Sequence, residues 1–417
     1  MGASPARLVE DLFRTEHAHL VAALARVLGP ANLQLAEDVV QDALVSAMQA
    51  WRFGPPRDPK AWIVRAARNR AVDIIRRERR GVALLPELAG MTTTAETIDA
   101  VLAPAANASN QLAMMFAVCE PALTSETHVT MILRWLCGLS PKEIGQAFLV
   151  DTPTIDRRLH RGRGRVNALG RIVDIDRLAD LGERQGSVLQ ALYLLFSEGY
   201  HGSSQREPVR PFLCTDAIRL TELLLETHAT AHLEVSALAA LFYFDLARLS
   251  TRLDAGGVFV PLDEQDRTRW DSTLIQRGLA HLAASAGGES MSRWHLEAGI
   301  ACEHALAPSV RQTNWSRIIA FYDLLMAQSP GPIVALNRAL AVAQRDGVEE
   351  GRRQLVTVAS DKKLGRYPFY WAALADLQRR AGQRDEAQSS YERAIELSRS
   401  AAERDSYRRR IDRLKVL

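Results

Sequence analysis

Along most of this 417-residue chain the apolar positions recur every three or four residues, and strict alternation is scarce. The pattern predicts helices nearly throughout and an all-α fold. No Asn-Gly or Asp-Gly hairpin signal sits between apolar runs. Breaks fall at Gly29-Pro30, at Phe53-Gly54-Pro55-Pro56, across residues 81–109 and at Gly199–Pro211. They divide the chain into a helical domain over 1–80, a linker over 81–109 with one short helix, a second small domain over 110–172, and a long helical remainder over 173–417.

Two helices of the first domain have contrasting faces. Over residues 33–51, Gln34, Asp38, Gln41, Asp42, Val45 and Gln49 fall on one side, and Val40, Ala43, Leu44, Ala47 and Trp51 on the other. The second set predicts the core. The first is a polar, partly acidic stripe with no local cationic partner. Over residues 59–80, Asp58 is the expected N-cap and Pro59 stands at the first helical position, where its missing N–H costs nothing. Ile63, Ala67, Ala71 and Ile74 make the inner side; Arg65, Arg68, Asn69, Arg76, Arg79 and Arg80 make an outer stripe. Arginine offers a planar fork to phosphate or guanine, and asparagine can pair with an adenine edge. Between the helices, Trp51 and Phe53 are either core aromatics or platforms for an unpaired base.

The second domain shows its caps in the sequence. Thr124 caps a helix from Ser125 to about Cys137, which Gly138 ends. Ser140-Pro141-Lys142-Glu143 is a capping box that opens a short helix. Asp151-Thr152-Pro153 then starts a helix over about 153–168. On that helix Ile155, Leu159 and Val166 share one face, while Thr154, Arg157, Arg158, Arg161 and Arg165 share the other. A short helix, a tight turn and an arginine-faced second helix predict a helix-turn-helix whose second helix enters the major groove. On this logic Thr154, Arg157 and Arg158 read bases, while Arg161, Arg163 and Arg165 hold phosphates.

Composition changes the picture little, and charge distribution changes it more. With 47% hydrophobic and 24% charged residues the chain can bury several cores and is not wholly disordered. The net charge of +3 carries no nucleic-acid signal by itself. Yet residues 57–80 hold nine basic and three acidic side chains, and residues 151–165 hold five arginines against two aspartates. Two basic patches on a balanced chain predict two contacts with a polyanion. The four cysteines are scattered and read as buried free thiols. No long uncharged apolar run and no signal-peptide pattern is present, so a cytoplasmic protein without membrane contact is expected.

At this point the residues resemble a family. Ala36-Glu37-Asp38-Val39-Val40-Gln41-Asp42-Ala43 is similar to a signature of sigma-70-type transcription factors. Asp58–Ile63 together with Ala71–Arg77 resembles their −10-element segment, which adds Arg77 to the DNA-binding candidates. Leu139–Ile144 followed by Thr154–Arg163 resembles their −35-reading helix-turn-helix. Two such domains and a short linker resemble the extracytoplasmic-function group. The resemblance implies that Gln34, Asp38, Gln41, Asp42 and Gln49 dock on the β′ clamp helices of core RNA polymerase. It further implies that the β flap is a partner, that promoter DNA is bound at two elements, and that the protein itself has no enzymatic activity.

The remainder resembles a C-terminal extension found in one subgroup and described as TPR-like. The matching stretches are Leu192–Tyr200, Asp263–Asp271 and Leu336-Asn337-Arg338-Ala339. The subgroup's Asp-Gly-Gly-Arg element has its nearest match in Asp254-Ala255-Gly256-Gly257. Spacing supports repeats independently: Trp371, Leu374, Gly382, Ala387, Tyr391 and Ala394 fit the offsets of a TPR unit of about 34 residues. Ala320, Leu324, Ala327 and Pro332 fit the second half of an earlier unit, with core roles expected. Such an extension predicts an intramolecular or protein partner and a regulatory role.

No cofactor is expected, because no Gly-rich phosphate loop or nucleophile elbow appears. No metal is expected either: His228 and His232 are spaced for a helical pair but lack a third ligand. Two rival readings are a one-component helix-turn-helix regulator with a TPR sensor and an enzyme built on the C-terminal half. The acidic stripe and the second basic helix disfavour the first, and no convergent catalytic set supports the second.

Overall fold

The structure is a computed structural model. It describes residues 5–416 apart from 80–93, 149, 169–171, 173–174, 176–177, 179, 202–208, 228–229, 231, 289, 359–363 and 399. Among the described residues nineteen α-helices form and no strand does, so the fold is all-α. The chain divides into two compact units, Met1–Leu195 and Phe196–Leu417, and the division falls inside one helix.

The first unit contains α1 (Pro5–Leu28), α2 (Leu33–Ala50), α3 (Pro59–Arg79), α4 (Ala95–Leu102), α5 (Asn107–Val118), α6 (Ser125–Trp135), α7 (Pro141–Phe148), α8 (Thr152–Ala168) and the start of α9 (Leu181–Tyr200). Its hub is α1. From Ala18 to Leu28 the apolar side chains of α1 are buried on all sides, which marks an enclosed helix rather than an amphipathic surface one. α2, α3, α4 and α5 all pack on it. Each fully buried leucine or valine there contributes about 1.5–3 kcal/mol relative to exposure. Asn110 of α5 joins three helices: its Nδ2 donates to the Val101 carbonyl at 2.7 Å, and its Oδ1 accepts from Arg26 Nη1 at 3.1 Å. The segment expected to be a linker therefore contributes α4 to the core, through Ile98 and Leu102.

The local predictions hold at the helix starts. Asp58 Oδ1 accepts from the Ala61 amide at 2.9 Å. Thr124 Oγ1 accepts from the Thr127 amide at 3.4 Å. The Ser140 amide donates to Glu143 Oε2 at 2.8 Å, and the Glu143 amide returns a bond to Ser140 Oγ at 3.3 Å. Gly138 takes the left-handed conformation, φ 69°, that ends the α6 segment. On α3, Ile75 rather than Ile74 is the more deeply buried isoleucine.

The second unit continues with α10 (Pro211–Glu226), α11 (Leu233–Ala247), α12 (Ser272–Ala284), α13 (Arg293–Leu306), α14 (Trp315–Gln328), α15 (Pro332–Arg345), α16 (Val348–Val358), α17 (Pro368–Arg380), α18 (Arg384–Leu397) and α19 (Ala401–Val416). Successive helices pack against each other from α10 to α19. In the α17–α18 pair, Ala387, Tyr391 and Ala394 are fully buried against Ala375, as the repeat offsets predict. The earlier half-unit is corrected. Ala320, Leu324 and Ala327 are exposed, and the core of α14 is made by Ile318, Ile319 and Leu325. The helix is rotated so that Ile318, Ile319 and Leu325, not the repeat-like stripe, face α13 and α15.

The Asp254 turn is docked by the last helix. Asp254 Oδ1 accepts from the Gly256 and Val258 amides at 2.8 and 3.0 Å, and its other oxygen pairs with Arg409. Ser406 Oγ donates to the Phe259 carbonyl at 2.8 Å. The free cysteines are buried at 119, 214 and 302 and half-buried at 137. Burial pushes the Cys214 thiol up to about 12 and Cys302 up to about 11, so neither is a nucleophile at neutral pH.

Candidate nucleic-acid interface

The outward face of α2 carries the predicted polar stripe. Gln34, Asp38, Gln41, Asp42 and Gln49 are all exposed. Gln34 Nε2 donates to Asp38 Oδ1 at 3.1 Å, and Asp42 pairs with Arg70 of α3 at 3.2 Å. Val45 and Met48 stand on the same helix, each 53% exposed. Exposed apolar side chains beside a polar stripe suit docking against another helix better than simple solvation. Sequence reading placed Val45 on this face and missed Met48.

The inward face holds a charge that periodicity alone should have flagged. Glu37 shares its side of α2 with Leu33, Val40 and Leu44, and its side chain is 1% exposed. Arg134 of α6 pairs with it at 3.0 Å. Burial raises the Glu37 carboxyl above the usual range, and the Arg134 charge opposes that rise. The same neighbourhood includes His17, held down to about 4 by burial and then by Arg134. So a residue of the signature stretch acts inside the first unit, tying α2 to α6.

On α3, Arg65, Asn69, Arg76 and Arg77 are exposed as predicted. Arg68 is engaged within the chain: its Nη2 donates to Asp99 Oδ2 of α4 at 2.7 Å, and its Nε reaches the other oxygen of the same carboxylate. The Arg79 side chain and Arg80 lie outside the described residues, as does the Phe53 side chain. Trp51 is corrected. It is 2% exposed and meets Trp62 edge-on, with centroids 5.5 Å apart, so it belongs to the core and is closed to a base.

α8 presents its arginines on more than one side. Arg157, Arg161 and Arg165 are exposed. Arg157 Nη2 donates to Thr154 Oγ1 at 2.9 Å, and half-buried Arg158 lies 5.7 Å over the Phe148 ring. Arg163 does not join the outer face. It is half-buried and its charge acts on Glu37, because α8 packs along the turn at residues 30–32. Gly162 explains why α8 can sit so close to α6: a Cβ there would fall 2.2 Å from the Met131 sulfur.

Comparison with known proteins meets this geometry directly. The Sigma-70 region 2 family matches residues 12–81, which hold α2 and α3. The ECF RNA polymerase sigma factor SigW of Bacillus subtilis (strain 168) is 30% identical over 143 residues, covering 33% of this chain and 75% of the relative. The chain belongs to the sigma-70 family of sigma factors. A sigma factor acts in transcription initiation, in company with core RNA polymerase and promoter DNA. A protein of Rhizobium meliloti (strain 1021), described as uncharacterized, is 34% identical over 92% of this chain and 90% of its own length. Residues 184–286 match a family of unknown function, DUF6596, so the two family matches occupy separate stretches. No solved structure matches the chain. Among the described residues, no helix of this sigma factor is long and apolar enough to cross a membrane.

Proposed function

We propose that this sigma factor docks on core polymerase through the exposed face of α2, contacts the −10 element through α3, and contacts the −35 element through α8. The observation that carries the reading is the sorting of exposed side chains. Gln34, Asp38, Gln41, Asp42 and Gln49 occupy α2, while Arg65, Asn69, Arg76 and Arg77 occupy α3, and Arg157, Arg161 and Arg165 occupy α8. An acidic-polar helix beside two basic ones supports one protein partner and two polyanion contacts. Arg68 and Arg158 join the DNA-facing set once Asp99 and Phe148 release them. α7 and α8 act as a helix-turn-helix in this reading, and Thr154 and Arg157 stand at the first turns, where base edges are met.

The helices of the second unit are TPR-like repeats that modulate the sigma domains in this reading. Stacked helix pairs present a preformed surface, so binding a protein segment entails little ordering cost. The decisive experiment is co-purification with core RNA polymerase. Asp38→Arg with Asp42→Arg should abolish it while leaving helix content unchanged. Undiminished binding by the folded double variant would refute the α2 assignment.

A further inference from the structure

The second unit holds a concentration of charge that the sigma role does not use. Asp245, Arg248 and Arg252 follow one another at the end of α11, Tyr200 and His201 close α9, and Arg267 stands before α12. Arg252 is 8% exposed. Its guanidinium lies 3.9 Å over the Tyr200 ring, and its Nη2 donates to His201 Nδ1 at 3.0 Å. Arg248 lies 5.6 Å from the same ring, and its carboxylate partner is Asp245 at 3.5 Å. Arg267 is near enough to Arg248 to have its pKa lowered, after the larger effect of burial. Its Nη1 donates to the His304 and Ala307 carbonyls at 2.9 and 2.8 Å, which fixes the guanidinium in place.

The charges do not balance. Three guanidiniums face one carboxylate, and both histidines are held neutral: burial and the neighbouring arginines push His201 well below its ordinary value and His304 down to about 3. Among the described residues, Nε of Arg248, Nε of Arg252 and Nη2 of Arg267 are buried without a hydrogen-bond partner. Packing of Arg252 on Tyr200 returns only a fraction of what burying an unpaired cation costs. Buried donors of like sign on neighbouring side chains, left without partners, are an arrangement that an anion can complete.

We propose that this cluster is a binding site for a phosphate group, carried by free phosphate or by a small phosphomonoester. A phosphomonoester carries about −1.5 to −2 charges at neutral pH, which matches the excess of two positive charges. Arginine forks fit its oxygens in pairs, and the Tyr200 hydroxyl supplies a further donor. The Asp245 and Arg248 side chains keep 26% and 15% of their surface exposed, so the cluster is open to a small molecule on that side. All these residues lie within Phe196–Leu417, and the site stands whether or not the α2, α3 and α8 assignments hold.

The test is isothermal titration and thermal unfolding of the full chain with inorganic phosphate and, separately, glycerol phosphate. Acetate and chloride at matched ionic strength are the controls. The wild type should bind phosphate or the monoester saturably and be stabilised by it, and Arg408→Gln, at an exposed position of α19, should behave alike. Arg248→Gln and Arg252→Gln should each weaken binding at least about ten-fold. In the absence of ligand these two variants should unfold no earlier than the wild type, because removing a cation relieves repulsion; a purely structural arginine would give the opposite. Tighter binding of the monoester would identify the phosphorylated small molecule as the source. The proposal is overturned if neither anion binds beyond the acetate and chloride controls, or if both variants bind as the wild type does. Should Arg252→Gln fail to fold, Arg252→Lys takes its place, keeping the charge and losing the fork, with the same loss of binding expected.

Discussion

Replacing Arg134 by alanine should destabilise the first unit more than any exposed charge substitution on α2, α3 or α8. The reason is the burial of its partner. Glu37 is 1% exposed and Arg134 is 18% exposed, with 3.0 Å between them. Removing the guanidinium leaves a buried carboxylate with only the weaker influence of Arg163 as countercharge, at a cost of about 3–5 kcal/mol. The converse change, Glu37→Gln, should cost less, about 1–2 kcal/mol, because Arg134 can still reach solvent. Replacing both, Glu37→Leu with Arg134→Met, should come within about 1 kcal/mol of the wild type, since an apolar pair needs no desolvation to be offset. Urea unfolding of the full chain followed by tryptophan fluorescence would report the change, because Trp51, Trp62 and Trp135 lie in this unit.

The acid dependence of this difference has a definite sign. Without Arg134 the Glu37 pKa rises further in the folded state. The folded protein then binds that proton more tightly than the unfolded chain, so the variant regains stability as pH falls towards the raised value. His17 acts in the same direction, since its depressed pKa makes the wild type lose stability below about pH 6.5 and Arg134 contributes to that depression. The gap between wild type and Arg134→Ala should therefore narrow on acidification. A cost below about 1 kcal/mol at neutral pH, or a gap that widens in acid, would refute the buried-pair reasoning.

Further outcomes follow from neighbouring contacts. Asp99→Ala should cost little stability, because the pair is exposed, while freeing Arg68 and steepening the salt dependence of DNA binding by about 0.9 in log–log slope. Arg157→Ala should relax base preference at the upstream element by about 1–3 kcal/mol, whereas Arg163→Ala should leave it unchanged; binding to mutant promoter duplexes separates the two. Gly162→Ala should destabilise by about 1–3 kcal/mol in urea titration, because the added methyl meets Met131. A chain ending after residue 201 keeps the Arg184 bond to the Phe116 carbonyl, 2.9 Å, and should remain folded with activity several-fold below the full chain in run-off transcription with core polymerase.

How much of this was legible in the sequence depended on distance along the chain. The helix starts at Asp58, Thr124 and Ser140 were readable because a cap is satisfied within four residues. The exposed faces of α2 and α3 were readable because helical period and charge point the same way. What was missed involves partners far apart. Arg68 finds Asp99 only because α4 folds back on α3, and no local pattern marks that return. Glu37 could have been suspected, since a carboxylate on a Leu33–Val40–Leu44 stripe must be paired or neutral, but its partner could not be named. Whether Trp51 closes the core or meets a base turned on its packing against Trp62, and the half-burial of Arg163 on the packing of α8 along residues 30–32; no local pattern marks either partner. The offsets at Ala320, Leu324 and Ala327 matched a repeat by composition, while Ile318 and Ile319 supplied the apolar surface that α14 buries.

In the proposed function the chain directs core polymerase to open a promoter through α2, α3 and α8. Run-off transcription with added core enzyme, coupled to permanganate footprinting of the template, tests it most directly. The account predicts a defined transcript and unpaired thymines near the start site with the wild type, and neither with Asp38→Arg plus Asp42→Arg. A wild-type chain that binds duplex DNA yet yields no transcript and no opened bases across a promoter library, or a double variant that transcribes normally, would contradict it.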